Sequence, residues 1–441
     1  MFKYFPHTKS DVKLMLDKIG IQDLDDLFSS IPKTLGTKVS YDLPSSMSEN
    51  TLRRFFRDHA NNNKQLISFR GGGVYDHYIP SVIKAIISRE EFLTSYTPYQ
   101  PEIAQGTLQY IFEFQSMITN LTGMDVSNAS MYDGATAAAE AMFMACAQTK
   151  SKRFLVSDLL FEEVIEVIKT YALYRDIEII MVKSVTGFID LEHLKEISNE
   201  AAGFIGQIPN KFGLIEDLSN ASAIIKEQKG LMIINSDPSI LGVIKSPKNM
   251  GADIACGHLQ SLGMPMSFGG AHAGFLATTK TYMRKMPGRI CGLTTDVDGK
   301  RGFVLTLQAR EQHIRREKAN SNICSNQSLM ALWATVYLSL MGKEGIKEVN
   351  QTCFKNSHYL EEKLIETGLF EQVFKGFYIK EFVLKTNVDL DGLESFLLKR
   401  GYLSGLKIDQ NLVSFSSTEQ RTKKEIDEFV GLIVRYSNES I

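Results

Sequence analysis

The sequence predicts an α/β protein built on a mainly parallel sheet, and three observations carry that reading. From residue 153 onward, short apolar runs alternate with amphipathic stretches of helical period. Arg153–Ser157, Glu178–Val182, Gly203–Gln207 and Leu231–Asn235 read as strands, with helices over 161–173, 190–200 and 216–228 between them. Strands covered on both faces read as continuous apolar runs, and helical crossovers set such strands parallel. Further on, the apolar runs Ala252–Cys256 and Gly274–Thr278 flank a turn rich in glycine and serine. Finally, 441 residues with 44% apolar and 23% charged side chains suit a large globular chain of more than one domain. We divide it into an N-terminal helical arm (1–65), a large α/β domain (66–342) and a small C-terminal α+β domain (343–441).

Composition excludes several function classes. A net charge of −2 gives no reason to expect nucleic acid or an anionic membrane as partner. No run of 18 apolar residues marks a membrane span, and MFKYFPHTKSD has no apolar leader, so a cytoplasmic protein is expected. Cys146, Cys256, Cys291, Cys324 and Cys353 are odd in number, scattered and mostly in apolar company, which reads as reduced, buried thiols. No HExxH, GxSxG or Walker A motif occurs.

In the arm, Val12, Met15, Leu16 and Ile19 share one helical face that Gly20 ends. Ser46-x-x-Glu49 reads as a capping box for a helix through Leu52, Phe55 and Phe56. Gly71-Gly72-Gly73 permits a tight turn or a close backbone approach but fits no dinucleotide fingerprint, and the nearby His77 reads as a packing residue. The loop 94–102, TSYTPYQPE, is stiffened by Pro98 and Pro101 and can present Tyr96 and Tyr99 to a partner or ligand. A helix over 103–122 ends at Gly123. Ser130–Ala137, with Asp133, Gly134 and Thr136, opens a helix over 137–147. Free N–H groups and the helix dipole there suit a phosphate, and equally an ordinary helix capped by Asp133.

Pro287–Gly292 and Asp296–Gly302 read as loop, and the charge-dense Leu305–Lys318 as a solvated or interface helix. A break at Asn322–Asn326 precedes a helix over 327–341 that carries Trp333. The small domain opens with a helix over 345–367. It continues through strand Glu381–Leu384, helix Leu390–Arg400, strand Leu412–Ser416 and helix Lys423–Tyr436.

Ligands of such sheets bind beyond the carboxyl ends of the strands. There, Leu231–Asn235 runs into Ser236-Asp237, and the strand at 252–256 runs into the turn His258-Leu259-Gln260-Ser261-Leu262-Gly263. Strand-then-aspartate, strand, turn and return strand is the layout many pyridoxal-phosphate enzymes use. In those enzymes the aspartate pairs with the pyridinium nitrogen and a lysine in the turn forms the imine. This turn contains no lysine. Lys245, Lys248 and Lys280 lie on the strand flanks instead.

Four stretches together resemble one family: YFPHT at Tyr4–Thr8, SYTPYQPEIAQGTLQ at Ser95–Gln109, QIPNKFGLIED at Gln207–Asp217 and LQAREQHIRREKANSNICSNQ at Leu307–Gln327. They are similar to the P-protein of the glycine cleavage system and, more narrowly, to subunit 1 of its two-subunit form, glycine dehydrogenase (decarboxylating). The resemblance implies a fold-type-I pyridoxal-phosphate-dependent transferase architecture with a small C-terminal domain. It also implies a heterotetramer in which a lysine-bearing subunit 2 holds pyridoxal phosphate and acts on glycine. The lipoylated H-protein then receives the aminomethyl group. The His-Lys pair of that catalytic subunit falls on Leu259-Gln260 here, and an amide forms no imine. No catalytic residue is therefore expected on this chain. Asp133, Gly134, Thr136 and Asp237 are candidate remnants of a cofactor site, and His258 stands one step out of place for ring stacking. Tyr96, Thr97, Tyr99, Gln100 and Glu102 are candidates to shape the partner's pocket. The alternatives are an autonomous pyridoxal-phosphate enzyme using another lysine and a non-enzymatic scaffold.

Overall fold

The computed structural model describes residues 4, 6–32, 34–35, 41–319, 321 and 323–439; Phe5 of the Tyr4–Thr8 stretch and Asn322 of the expected break lie outside them. The chain divides into two compact units, Met1–Lys64 and Gln65–Ile441. In the first, α1 (Lys9–Ile19) begins at Thr8 in a reciprocal capping box with Asp11 and stops at the left-handed Gly20. The second helix, α2 (Glu49–Ala60), is capped by Ser48, whose hydroxyl accepts Thr51 N–H. Ser46 is not the cap. Glu49 stands at the first helical position and pairs with Arg53 one turn on, at 2.8 Å, so it cannot close a box. Neither helix buries a residue.

The second unit is organised by a seven-stranded sheet. Its strands are β1 (Val126–Ser127), β2 (Arg153–Ser157), β3 (Glu178–Val182), β4 (Gly203–Ile208), β5 (Leu231–Ser236), β6 (Ile254–His258) and β7 (Gly274–Thr278). The order across the sheet is β1-β7-β6-β5-β4-β2-β3. Neighbours from β3 to β6 run parallel, and β7 is antiparallel to both β6 and β1. Alternate residues feed two cores: Phe154, Val156, Ile205, Ile233 and Cys256 on one face, and Leu155, Phe204, Ile234, Ala255 and Phe275 on the other. The helices are α3 (Gln105–Thr122), α4 (Gly134–Thr149), α5 (Glu162–Leu173), α6 (Leu191–Ile197) and α7 (Ser219–Glu227). In α4, Ala137, Ala138, Ala139 and Ala141 are buried, and these small side chains bring the helix close to the sheet.

Three expectations change. The strand expected at Ala252–Cys256 spans Ile254–His258, because Ala252 N–H is taken by Pro247 C=O and pairing with β5 starts at Ile254 opposite Ile233. The loop expected over 287–302 contains a hairpin, β8 (Ile290–Thr295) against β9 (Arg301–Thr306). Its turn carries the Asp298-Gly299 pair that hairpins favour, with Gly299 at φ +78°. The helix expected over Leu305–Lys318 is absent. β9 runs on to Thr306, and left-handed backbone at Leu307 (φ 54°) and Arg316 (φ 53°) leaves only short turns such as Gln312–Arg315.

A long helix, α8 (Ser328–Glu366), is broken at Gly342 (φ 56°, ψ −168°), between the two helices expected there. It leads to an antiparallel sheet of order β10-β11-β13-β12: β10 (Phe370–Gln372), β11 (Glu381–Thr386), β12 (Leu406–Lys407) and β13 (Leu412–Ser416). Helices α9 (Leu390–Leu398) and α10 (Lys423–Glu439) cover it, closing a core of Phe382, Leu384, Phe415, Ile426, Phe429 and Ile433. Phe69 joins this core, because Ile67–Ser68 pairs in parallel with Tyr402–Leu403. Among the described residues no helix is long and apolar enough to cross a membrane, and all five cysteines are free.

Candidate functional site

Strands β4, β5 and β6 end on one side of the sheet, and a cavity of about 460 Å³ opens there. That volume lies within the range of small-molecule sites. Gln207, Asn235, Ser236, Asp237, His258 and Ser261 contribute from the strand ends, Asp133, Gly134 and Ala135 from the start of α4, and Gly72 to Tyr75 from the glycine turn. Three of the four remnant candidates, Asp133, Gly134 and Asp237, are thus brought together. Thr136 faces away from the cavity wall: its N–H donates to Asp133 Oδ1 at 2.8 Å and its hydroxyl to the same carboxylate at 3.1 Å. Asp133 is therefore the cap of α4. The two readings left open by the sequence resolve toward the capped helix, because a carboxylate occupies the position an anion would take.

Asp237 follows β5 directly, with both carboxylate oxygens engaged. Oδ1 accepts the Ser261 hydroxyl at 2.5 Å and Ser239 N–H at 2.9 Å, while Oδ2 pairs with Lys380 Nζ at 2.6 Å. Burial would raise this carboxyl. The Lys380 ammonium, the Ser261 hydroxyl and the Ser239 amide outweigh burial and hold it at about 2. Lys380 is itself 1% exposed. It also donates to Ser239 Oγ at 2.9 Å and His77 Nε2 at 3.0 Å, and its ammonium lies 4.3 Å from the centre of the Tyr75 ring. An ammonium has no acceptor, so His77 Nε2 must accept. His77 Nδ1–H then donates to Glu419 at 2.7 Å. His77, read from sequence as a packing residue, is the middle of a buried chain Glu419–His77–Lys380–Asp237. Burial raises the Glu419 carboxyl too, but the hydrogen bonds from His77 and the Tyr78 amide bring it down to about 2.

Gln260, at the expected lysine position, is buried and does not face the cavity. Its Oε1 accepts Tyr75 N–H at 2.9 Å, and its Nε2 donates to Tyr75 C=O at 2.8 Å and Met264 C=O at 2.9 Å. This amide clamps the backbone beside the glycine turn. Tyr75 in turn donates its hydroxyl to the buried Glu381 at 2.8 Å, a carboxylate that also accepts Gly72 N–H and the Ser414 hydroxyl at 2.7 Å each. A Cβ on Gly71 would stand 2.4 Å from Glu381 Oε1, so only glycine fits there. His258 accepts Gln260 N–H through Nδ1 at 3.0 Å, and burial, with His272 adjacent, lowers it to about 4. It is neutral near pH 7, with its proton on Nε2. Gln207 Nε2 and Ser236 Oγ are buried in the wall with no hydrogen-bond partner among the described residues.

These residues do not fit pyridoxal phosphate as an imine-forming cofactor. Asp237, the expected ring-nitrogen partner, is taken by Lys380, the expected lysine position holds an amide that accepts one hydrogen bond and donates two, and the helix terminus is capped by a carboxylate. Lys245 and Lys248 pair on the surface with Asp217 and Asp125, away from the cavity.

The pocket-shaping candidates lie elsewhere and do not join the cavity wall. Tyr96 is 77% exposed, with its hydroxyl 3.1 Å from Ser325 Oγ. Tyr99 accepts Arg289 Nη2 at 2.9 Å and turns its ring edge to His313. Arg289 is buried beside Glu311 at 3.3 Å. Thr97 C=O accepts Tyr99 N–H, and Gln100 precedes the turn Pro101–Ile103 that holds the exposed Glu102. Sequence reasoning missed Lys380, Glu381, Glu419, Arg289 and Glu311. Lys380-Glu381 opens an apolar strand, where a charged pair reads as solvated, and no local pattern marks either residue as buried.

The glycine cleavage system P-protein family model matches residues 2–433. The chain belongs to this family. It is 46% identical over 438 residues to a protein of Listeria monocytogenes serotype 4b (strain CLIP80459) named probable glycine dehydrogenase (decarboxylating) subunit 1, covering 97% of this chain and 98% of the relative. A Carboxydothermus hydrogenoformans protein of the same name is 46% identical, with 98% and 99% covered. The crystal structure of a glycine decarboxylase (P-protein) of the glycine cleavage system, in inhibitor-bound form, superposes with a TM-score of 0.91 at 38% identity, covering 99% of this chain and all of that one. The Lactobacillus brevis glutamate decarboxylase shares the fold at 13% identity, TM-score 0.68. The expected fold-type-I pyridoxal-phosphate enzyme architecture is therefore the fold observed.

Proposed function

We propose that this chain is the subunit of a two-subunit glycine decarboxylase that bears no covalent cofactor. The reaction decarboxylates glycine and passes the aminomethyl group to the lipoyl arm of the H-protein, with pyridoxal phosphate held by the lysine-bearing subunit 2. The observation that carries this reading is Gln260: the turn position that holds the imine lysine in the catalytic subunit here holds an amide, buried and spent on Tyr75 and Met264. What this chain contributes is therefore shape. The arm supports a partner, since α1 and α2 place Leu14, Ile19, Phe55 and Phe56 at the surface, 68%, 59%, 42% and 61% exposed. Apolar helix faces of this kind are stable when another surface covers them. We assign that cover to subunit 2 in a cytoplasmic heterotetramer, an interface expected to bury on the order of 2,000–5,000 Å². The loop Tyr96–Glu102, rigidified by proline and held through Tyr99 to Arg289, is the segment we assign to the partner's pocket.

Reconstitution tests this. The lysine-bearing subunit is assayed for glycine–CO2 exchange with lipoylated H-protein, with and without this chain. Exchange that depends on this chain supports the reading, and unchanged assembly and activity would favour a scaffold role. Borohydride treatment of this chain with pyridoxal phosphate should fix no label on it. A reduced lysine adduct inside the fold would instead make it an autonomous cofactor enzyme.

A further inference from the structure

The family layout places an aspartate at the end of β5 to meet a cationic ring nitrogen, yet here that aspartate already has a cation of its own. Lys380 enters from the small domain, one residue before β11, and its ammonium is enclosed by Asp237, Ser239, His77 and the face of Tyr75. Behind it, Glu419 holds His77 in the tautomer whose Nε2 accepts from the ammonium. The lysine cannot swing away as a flexible surface side chain could. Lys380 is 1% exposed, every one of these neighbours is fixed by a second hydrogen bond or by packing, and the cavity beside Asp237 stays open.

We propose that Lys380 is a built-in counter-cation that closes the Asp237 site of this subunit to pyridinium-type cofactors. The proposal rests on the reading above that this chain carries no covalent cofactor. A buried carboxylate that loses its partner is strongly disfavoured, so with no pyridinium nitrogen bound an aspartate at this position needs another positive charge. Lys380 provides it permanently. A pyridinium nitrogen brought to the same carboxylate would meet an ammonium at near-contact distance, a repulsion strong enough in a buried site to weaken binding by about 100-fold or more. Nor is Lys380 a substitute imine lysine. The formyl carbon of pyridoxal is para to the ring nitrogen, so a lysine bound to Asp237 stands at the wrong end of the ring.

The test uses the full chain and pyridoxamine 5′-phosphate, which has the ring and phosphate but no aldehyde and so forms no imines with surface lysines. Binding is followed by fluorescence titration and by the shift in unfolding midpoint for wild type, Lys380→Met, Lys380→Gln and the double variant Lys380→Met/Asp237→Asn. Wild type should show no saturation at about 1 mM. Lys380→Met and Lys380→Gln should bind at least about tenfold more tightly and be stabilised by the ligand. The double variant, which removes both charges and should fold, should lose that gain. If Lys380→Met fails to fold, Lys380→Gln retains hydrogen-bond donors and carries the same expectation. Equal affinity in wild type and Lys380→Gln, or undiminished binding by the double variant, would overturn the proposal. A borohydride-fixed adduct on wild type would instead overturn the function assigned above, so the two failures are told apart.

Discussion

Converting Gln260 to lysine puts a lysine into the turn where the resemblance leads one to expect it, and the structure predicts that this damages the chain without creating chemistry. The amide of Gln260 accepts one hydrogen bond and donates two, all to buried backbone. Lysine has no acceptor, so Tyr75 N–H is stranded at a cost of about 1–3 kcal/mol. The new ammonium can donate to the Tyr75 and Met264 carbonyls, but the nearby carboxylate of Asp237 is already engaged by Lys380. An unpaired buried cation adds several kcal/mol or forces the amine neutral. We expect Gln260→Lys to lose about 3–5 kcal/mol. Denaturant and thermal unfolding of the isolated chain measure this, beside Gln260→Glu, which keeps the acceptor for Tyr75 N–H but faces two carbonyls with a carboxylate. Wild-type stability in Gln260→Lys, or a borohydride-reducible cofactor adduct at residue 260, would refute the clamp.

Acid stability should follow two opposed pairs of carboxyls. Asp237 and Glu419, lowered to about 2, contribute stability that is complete above their unfolded values and lost as pH falls from about 4 to 2. Glu140 and Glu216, raised by burial to about 7, stabilise at low pH and lose that contribution as pH rises from about 4.5 to 7. The unfolding midpoint should therefore peak near pH 4–5, and Glu140→Gln with Glu216→Gln should flatten the decline above it. Tyr96→Ala, at an exposed position, should change stability by less than about 0.5 kcal/mol yet lower glycine–CO2 exchange in the reconstituted complex. Deleting residues 1–64 should leave the core of 65–441 folded by circular dichroism and abolish co-elution with subunit 2. Gly257→Ala should prevent normal folding, since its Cβ would stand 1.9 Å from Ser236 O in the neighbouring strand and the soluble yield should collapse.

The amino-acid sequence by itself determined the frame. Apolar runs such as Leu231–Asn235 and Gly274–Thr278 reach burial only as central strands, and Gly20 and Gly123 stop their helices because only a residue free at positive φ closes the last turn. The absence of lysine from His258–Gly263 was equally legible, because it is a fact of covalent chemistry. The hairpin Ile290–Thr306 carried a readable signal in Asp298-Gly299, hidden among charged residues. Tertiary structure alone decided what fills the site. His77 lies 303 residues from Lys380 and 342 from Glu419, all three are more than about 140 residues from Asp237, and each looks locally like a surface or packing residue. They acquire meaning only when the fold brings Lys380, one residue before β11, to Asp237 just past the end of β5. In that low-dielectric space an ion pair at 2.6 Å fixes the state of the aspartate. Gln260 shows the same division: its identity was plain from the sequence, and the backbone it clamps was not, because hydrogen bonds between residues 260 and 75 exist only in the folded chain.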